Sequence, residues 1–356
     1  MNIVKRDLQI EVLVNSHGPH EHVRVKEPFC GLQRLGVDCR LHRYPFILPK
    51  VIRPHSLVIW QRPRPVSWKQ QVHIMHWLRD QGCLLLIEWD DHPKLFPNEI
   101  QNALNNIAMA PLKLCHALHT STDLLARSLN KIQPISYVIP NAIWRIPKLN
   151  INKHQRKFDQ FRIFIGNQNR KNEHSKLISP LVEWCNTEQD IKIIVIGDKQ
   201  LASAIPEKNI EMHPILEYNQ YRSLMRSCHI ALLPLNNSLP NNCKTNIKWM
   251  EAASESVAVV GGPGLYKEVI CDNEYGLFCE DLNTLIPLAK ILKNELDLRI
   301  RLMTNAHTKV LQEYNLRDLL ISRVKLYEKI WEDRSILDNL LLKRYPELST
   351  DKEFPI

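Results

Sequence analysis

Residues 230–260 read Ile230-Ala231-Leu232-Leu233-Pro234-Leu235, a polar loop through Asn241-Asn242-Cys243-Lys244-Thr245, the run Ile247-Lys248-Trp249-Met250-Glu251-Ala252-Ala253-Ser254, and then Val257-Ala258-Val259-Val260. Two short apolar runs, Ile230 to Leu233 and Val257 to Val260, have the length of buried strands. The segment between them carries apolar and polar residues at helical spacing. This is a βαβ unit of a parallel sheet.

The same alternation runs outward in both directions. Towards the N-terminus the strand-like runs are Lys192 to Ile196 and Arg162 to Ile165, and towards the C-terminus Gly276 to Phe278. A polar, basic stretch from Asn150 to Lys157 interrupts the pattern and reads as a linker. Before it lies a second series: Ile10 to Val14, Val37 to Leu41, Leu57 to Trp60, Cys83 to Glu88, Ala117 to Thr120 and Ser136 to Ile139. The expectation is therefore an α/β chain of two doubly wound, Rossmann-like domains, 1–148 and 161–312, joined by a linker at 149–160. Helical spacing in Leu316 to Trp331 and around Leu337 to Leu342 predicts C-terminal helices and a tail over 313–356.

A length of 356 residues suits two cores, and 44% hydrophobic with 24% charged residues excludes a disordered chain. No stretch approaches the ~20 apolar residues of a membrane span, and the first residues lack a signal-peptide pattern, so a cytoplasmic protein is expected. Nine unpatterned cysteines read as reduced thiols, not as a disulfide frame or zinc site. The net charge of +9 favours phosphorylated ligands or an anionic membrane surface. Dispersed basic residues without a base-stacking platform argue against nucleic acid.

In the opening stretch, spacings of four and three place Lys244, Lys248 and Glu251 on one face of a helix. Unpaired N–H groups at its N-terminus, with Lys244 in the first turn, suit a diphosphate, and Glu251 further along suits a ribose. Charge spacing alone equally allows a surface ion pair between Lys248 and Glu251.

Leu233-Pro234-Leu235, Asn242-x-Lys244-Thr245-x-x-Lys248-x-x-Glu251-Ala252-Ala253 and the Val257 strand resemble the donor-binding segment of retaining bacterial glycosyltransferases of group 1 (family 4-like), enzymes of surface-polysaccharide synthesis. The likeness continues through Tyr218-x-x-Tyr221 and Tyr266-x-x-Val269-Ile270. It implies a GT-B fold, in which two Rossmann-like domains face each other across a cleft and the second binds a nucleotide-sugar. It assigns Gly166, Arg170, Lys171, Gly197, Pro214, Tyr218, Asn242, Lys244, Thr245, Lys248 and Glu251 to the donor. Arg170 and Lys244 are expected to stabilise the leaving diphosphate, so that neither a cofactor nor a divalent metal is needed. At the position where many relatives carry a further glutamate this chain has Cys243.

In the first domain, Glu88-Trp89-Asp90-Asp91-His92 follows a strand, so its carboxylates belong at the C-terminal edge of a parallel sheet, where open α/β folds bind ligands. Similar enzymes carry an acidic pair there, together with Gln61-Arg62 and Pro140-Asn141. Asp90 or Asp91 would orient or deprotonate the acceptor; Asp91 before His92-Pro93 reads equally as a turn cap. His17, Gly18, Arg24, Arg62 and His119 complete the acceptor set, Arg24 as an acceptor-phosphate contact. The irregular spacing of His17, His20 and His22 fits solvated or acceptor-contacting side chains better than zinc. His119 fits a structural role as well as a catalytic one.

The function implied is transfer of a sugar from a nucleotide-sugar to a glycan, lipid-linked or metabolite acceptor, with membrane-surface association fitting the charge. Two rivals stand beside it. A nicotinamide oxidoreductase lacks the G-x-G-x-x-G turn after its first strand. A non-catalytic sugar-nucleotide or glycan-binding protein of the same fold is the reading that Cys243 keeps open.

Overall fold

The computed structural model describes residues 8–15, 18–155, 160–166, 171–270 and 273–349. The chain divides into two compact units, one running to Asn141 and resuming at Leu316, the other spanning Ala142–Asn315.

In the first unit six parallel strands, β1 (Gln9–Val14), β2 (Asp38–Arg43), β3 (Leu57–Gln61), β4 (Leu84–Glu88), β5 (Ala117–Thr120) and β6 (Ser136–Val138), lie in the order β2-β1-β3-β4-β5-β6. The chain changes direction across the sheet between β1 and β3, the switch point where loops from neighbouring strands diverge and leave a crevice. The central strands β3 and β4 are buried along their whole length, as their unbroken Leu/Val/Ile runs require. The helix Leu316–Glu332 belongs here because Leu320, Val324, Tyr327 and Ile330 are buried, with the Tyr327 ring stacked 6.0 Å from Phe29.

In the second unit β7 (Phe161–Ile165), β8 (Ile191–Ile196), β9 (Ile210–His213), β10 (Ile230–Pro234), β11 (Ala258–Gly262) and β12 (Leu277–Phe278) form a parallel sheet ordered β12-β11-β10-β7-β8-β9. Its switch point falls between β7 and β10. Phe161, Ile163, Ile193, Val195, Ile230, Leu232, Ala258 and Val260 fill the core beneath the helices, together with Leu177, Leu181 and Trp184.

Three features depart from the sequence reading. The edge strand β9 escapes it, because Ile210-Glu211-Met212-His213 is half exposed and lacks an apolar run. Of the 149–160 stretch, the residues up to Gln155 are held to the second unit: His154 is buried with its ring nitrogen 3.0 Å from Ser256 O, and Lys153 Nζ donates to Arg226 O and Glu255 O, so basic residues cap two helix ends there. The helix after β10 spans only Ile247–Ser254, with Asn246 at its N-cap; Lys244 and Thr245 lie in the preceding turn. Lys244 therefore does not share a helical face with Lys248 and Glu251.

Among the described residues eight cysteines are free and seven of them buried, no helix is long and apolar enough to cross a membrane, and no group of three His, Cys, Asp or Glu could hold a metal.

Candidate active site

At the switch point of the second sheet, β7 ends at Ile165-Gly166. A side chain at Gly166 would strike the Phe164 ring and come within 3.0 Å of Tyr221, so only glycine fits between them. Arg170 lies outside the described residues, and Lys171 opens the helix Lys171–Thr187 with its side chain also outside them. On the same helix Glu173 Oε1 accepts from Asn236 N at 3.3 Å, fastening the loop after β10. His174 is buried, its Nδ1 2.6 Å from Asp198 Oδ2. Asp198 also caps the next helix through Leu201 N at 3.0 Å, directly after Gly197 in a left-handed conformation.

The loop from β10 to Ile247 is built on asparagines. Asn241 Nδ2 donates to Asn236 O at 2.9 Å and Asn242 Nδ2 to Asn237 Oδ1 at 2.9 Å. Gly264, at φ +92°, leaves room for Asn242, whose Oδ1 would lie 2.5 Å from a Cβ there. Cys243 is fully buried and its neighbour Lys244 is half-buried. The chain thus presents a cation where the relatives' acidic position stands one residue earlier.

Behind this loop Glu251 is only 1% exposed, and its Oε2 accepts from Lys248 Nζ at 3.1 Å and Tyr221 OH at 3.2 Å. Lys248 also donates to the Tyr221 hydroxyl at 3.0 Å and lies 4.3 Å from its ring centroid. A surface ion pair is therefore the wrong description of Lys248 and Glu251: the pair is an inward-facing network that fixes a carboxylate. Burial, then the Glu251 charge, pushes the Tyr221 hydroxyl well above its usual range, so it stays a donor. Tyr218 is buried and stacked 6.4 Å from Tyr221, its hydroxyl accepting from Arg222 at 3.3 Å. Thr245 is half-buried beside Lys244, and Pro214 follows the edge strand β9. Tyr221, quoted in the Tyr218-x-x-Tyr221 motif but given no role there, is the member that the structure adds to the site.

At the C-terminal edge of the first sheet, Arg62 forks between two carboxylates, Nε to Asp90 Oδ1 at 2.6 Å and Nη2 to Asp91 Oδ2 at 2.7 Å. Its backbone is held at φ +41°, with its N–H donating to Glu88 O at 3.0 Å. A left-handed arginine at a sheet edge stores strain that the fork and the strand pairing retain. Burial works against ionisation of Asp90, yet the charge and hydrogen bond of Arg62 hold its carboxyl well below the usual carboxylate range. Asp90 is thus a fixed hydrogen-bond acceptor and a poor proton acceptor. His92 Nδ1 accepts from Lys94 N at 3.2 Å and caps the short helix that follows. His20, unassigned by sequence, joins the cluster electrostatically; burial, then Arg62, lowers its pKa while Asp90 and Asp91 oppose the shift.

Arg24 departs from its expected acceptor-phosphate role, and His119, for which the sequence allowed a structural or a catalytic role, lies in the core. Arg24 is 2% exposed, and its guanidinium donates to Glu88 Oε1 at 2.7 Å, Ile139 O at 2.6 Å and Asn141 Oδ1 at 2.9 Å. It ties strand ends from a π-helical turn, His22–Lys26, and has no face for an acceptor phosphate. His119 is fully buried, Nε2 3.4 Å from the Tyr327 hydroxyl, and burial, then Arg24 and Arg323, keeps it neutral. Gly18 is exposed at φ +141°, while His17 lies outside the described residues.

Residues 170–320 match a family model described as glycosyl transferase-like. Among solved structures, sucrose-phosphate synthase of Thermosynechococcus elongatus superposes with a TM-score of 0.66 at 12% identity, over 91% of this chain and 99% of that one. HepE of Anabaena, in complex with UDP and glucose, gives 0.63 at 12% over 90% and 100%. The pneumococcal O-GlcNAc transferase GtfA, in complex with UDP and GlcNAc, gives 0.55 at 14% over 78% and 57%. No curated protein sequence matches the chain. The chain has the GT-B fold. The segment that matches the glycosyl transferase-like model contains Gly197, Pro214, Tyr218 and the whole run from Asn242 to Glu251.

Proposed function

We propose that the second unit holds a nucleotide-sugar and that the sugar passes, with retention and without a metal, to a hydroxyl of a glycan, lipid-linked or metabolite acceptor oriented by the first. The observation that carries the donor half is the buried Tyr221–Lys248–Glu251 network behind the β7/β10 switch point. A carboxylate fixed by two donors presents its remaining lone pairs to a ribose diol, and Lys244 with Arg170 and Lys171 supplies positive charge for the diphosphate. The sugar C1–O bond to the diphosphate breaks with its electrons going to phosphate. The acceptor oxygen bonds C1, and its proton passes to the departing diphosphate. Asp90 and Asp91 accept hydrogen bonds from the acceptor and aim it.

UDP in the HepE and GtfA complexes makes UDP-sugars the first donors to try. Retention follows the resemblance to retaining enzymes, and a cytoplasmic setting at the inner membrane face follows the charge of the chain. Titration of nucleotide-sugars into wild type, Lys244→Ala and Glu251→Ala tests the assignment. Weakened binding in both variants supports it, and unchanged binding in both overturns it. Binding without turnover on any acceptor or water would favour the non-catalytic reading that Cys243 suggests.

A further inference from the structure

From Arg40 to Arg79 the sequence holds eight basic residues, Arg40, Arg43, Lys50, Arg53, Arg62, Arg64, Lys69 and Arg79, and no Asp or Glu. The structure gathers the middle of this stretch in two connections, one running from β2 into the short helix Leu48–Val51 and one from β3 into the first turn of the helix Trp68–Asp80, and the two strands flank β1. The loops touch: the Arg64 guanidinium lies 3.7 Å from the Tyr44 ring centroid, and Phe46 sits edge-on to Trp60 at 6.0 Å.

Some of the charge is already neutralised, Arg43 by Glu21, Arg53 by Glu11 and Asp38, and Arg62 by Asp90 and Asp91. Lys50, Arg64 and Lys69 are exposed, and none of the described carboxylates lies within ion-pair distance of them. Between these cations stand large apolar side chains in water, Ile47 at 57% and Tyr44 at 39% exposure, with exposed Pro45, Pro49 and Pro65. Apolar tips ringed by unneutralised cations on short, proline-stiffened loops match an anionic bilayer interface, where the tips enter the headgroup layer and the cations meet lipid phosphates.

We propose that the loops Tyr44 to Lys50 and Arg62 to Lys69 seat the first unit on an anionic lipid surface. Arg62, which fixes Asp90 and Asp91, lies two residues from Arg64, so the acceptor carboxylates sit beside the lipid-facing loop and the acceptor is carried on a lipid. This last step rests on the glycosyl-transfer reading; the lipid contact does not.

The test is co-sedimentation of the full chain with vesicles of phosphatidylcholine alone or with about 30% phosphatidylglycerol, at low and high salt. Expected are partition onto the anionic vesicles only, weakening with salt, a loss of roughly fivefold for Lys50→Gln or Lys69→Gln, and of about tenfold or more for Ile47→Asp. Unaltered melting curves by circular dichroism show that these surface variants fold. No partition onto anionic vesicles overturns the proposal. So does partition that ignores Ile47→Asp, and so does equal, Ile47-independent binding to a soluble polyanion such as heparin. Nucleotide-sugar titration on the same samples separates the two readings. Failed vesicle binding with intact donor binding removes this inference alone, and the converse removes the donor assignment alone.

Discussion

The two sheet edges solve opposite electrostatic problems. In the second unit the loops at the switch point carry glycines, asparagines and cations, with the buried carboxylates of Glu173 and Glu251 packed against them. In the first unit the charges close on one another: Arg62 on Asp90 and Asp91, Arg24 on Glu88. A diphosphate brings two or more negative charges and needs positive charge to meet it. An acceptor hydroxyl is neutral and needs hydrogen-bond acceptors that stay ionised and still. The strand orders differ too, and each unit has its own switch point, so the halves are not copies of one design.

If the first unit is locked by internal charge pairs, removing one should cost most. Arg24→Ala strands Glu88 in the core and should lower stability by about 3–5 kcal/mol, read by urea denaturation; a loss below about 1 kcal/mol would mean the pair does not hold the strand ends. Glu251→Ala should weaken nucleotide-sugar binding by roughly 10–100-fold through loss of charge-assisted hydrogen bonds, with Glu251→Gln falling between it and wild type in titration calorimetry. Gly166→Ala should destabilise by about 1–3 kcal/mol, because the new methyl displaces Phe164 or Tyr221; an unchanged melting curve would show that the two rings have room.

The pH dependence sharpens the contrast inside the first unit. Burial pushes the Glu88 carboxyl up to about 7, against Arg24, whereas Arg62 depresses Asp90. For Glu88 the folded state holds a proton that the unfolded state has released, so stability should rise as pH falls from about 7 towards the ordinary glutamate range. Asp90 acts oppositely: its contribution is complete above the ordinary aspartate range and is lost as pH falls through and below it. Urea midpoints of wild type and Glu88→Gln between pH 7.5 and 5 check the first effect, of the order of 1 kcal/mol, which the variant should lack.

Much of the fold was legible because buried parallel strands are written as unbroken apolar runs. β9 was not, since an edge strand needs no such run, and the place of the helix Leu316–Glu332 was not, since helical spacing names a buried face without naming what covers it. In the donor region the residues from Asn242 to Glu251 carried the likeness, but their local form misled: the helix begins at Ile247, so the spacing argument for Lys244 failed while that for Lys248 and Glu251 stood. At the edge of the first sheet, Arg62, Asp90 and Asp91 came together as the motifs suggested. Arg24 and His119 turned out to serve the core, because burial and partners are properties of the folded chain that a motif does not state.

The central claim is that this chain breaks a nucleotide-sugar bond using the loop and helix from Asn242 to Glu251. The direct measurement is nucleotide release from UDP-, GDP- and ADP-sugars, with and without EDTA, by wild type, Lys244→Ala and Glu251→Ala. The account predicts release from one nucleotide class, unchanged by EDTA and strongly reduced in both variants. Release that persists in both variants, or none from any nucleotide-sugar, would contradict it.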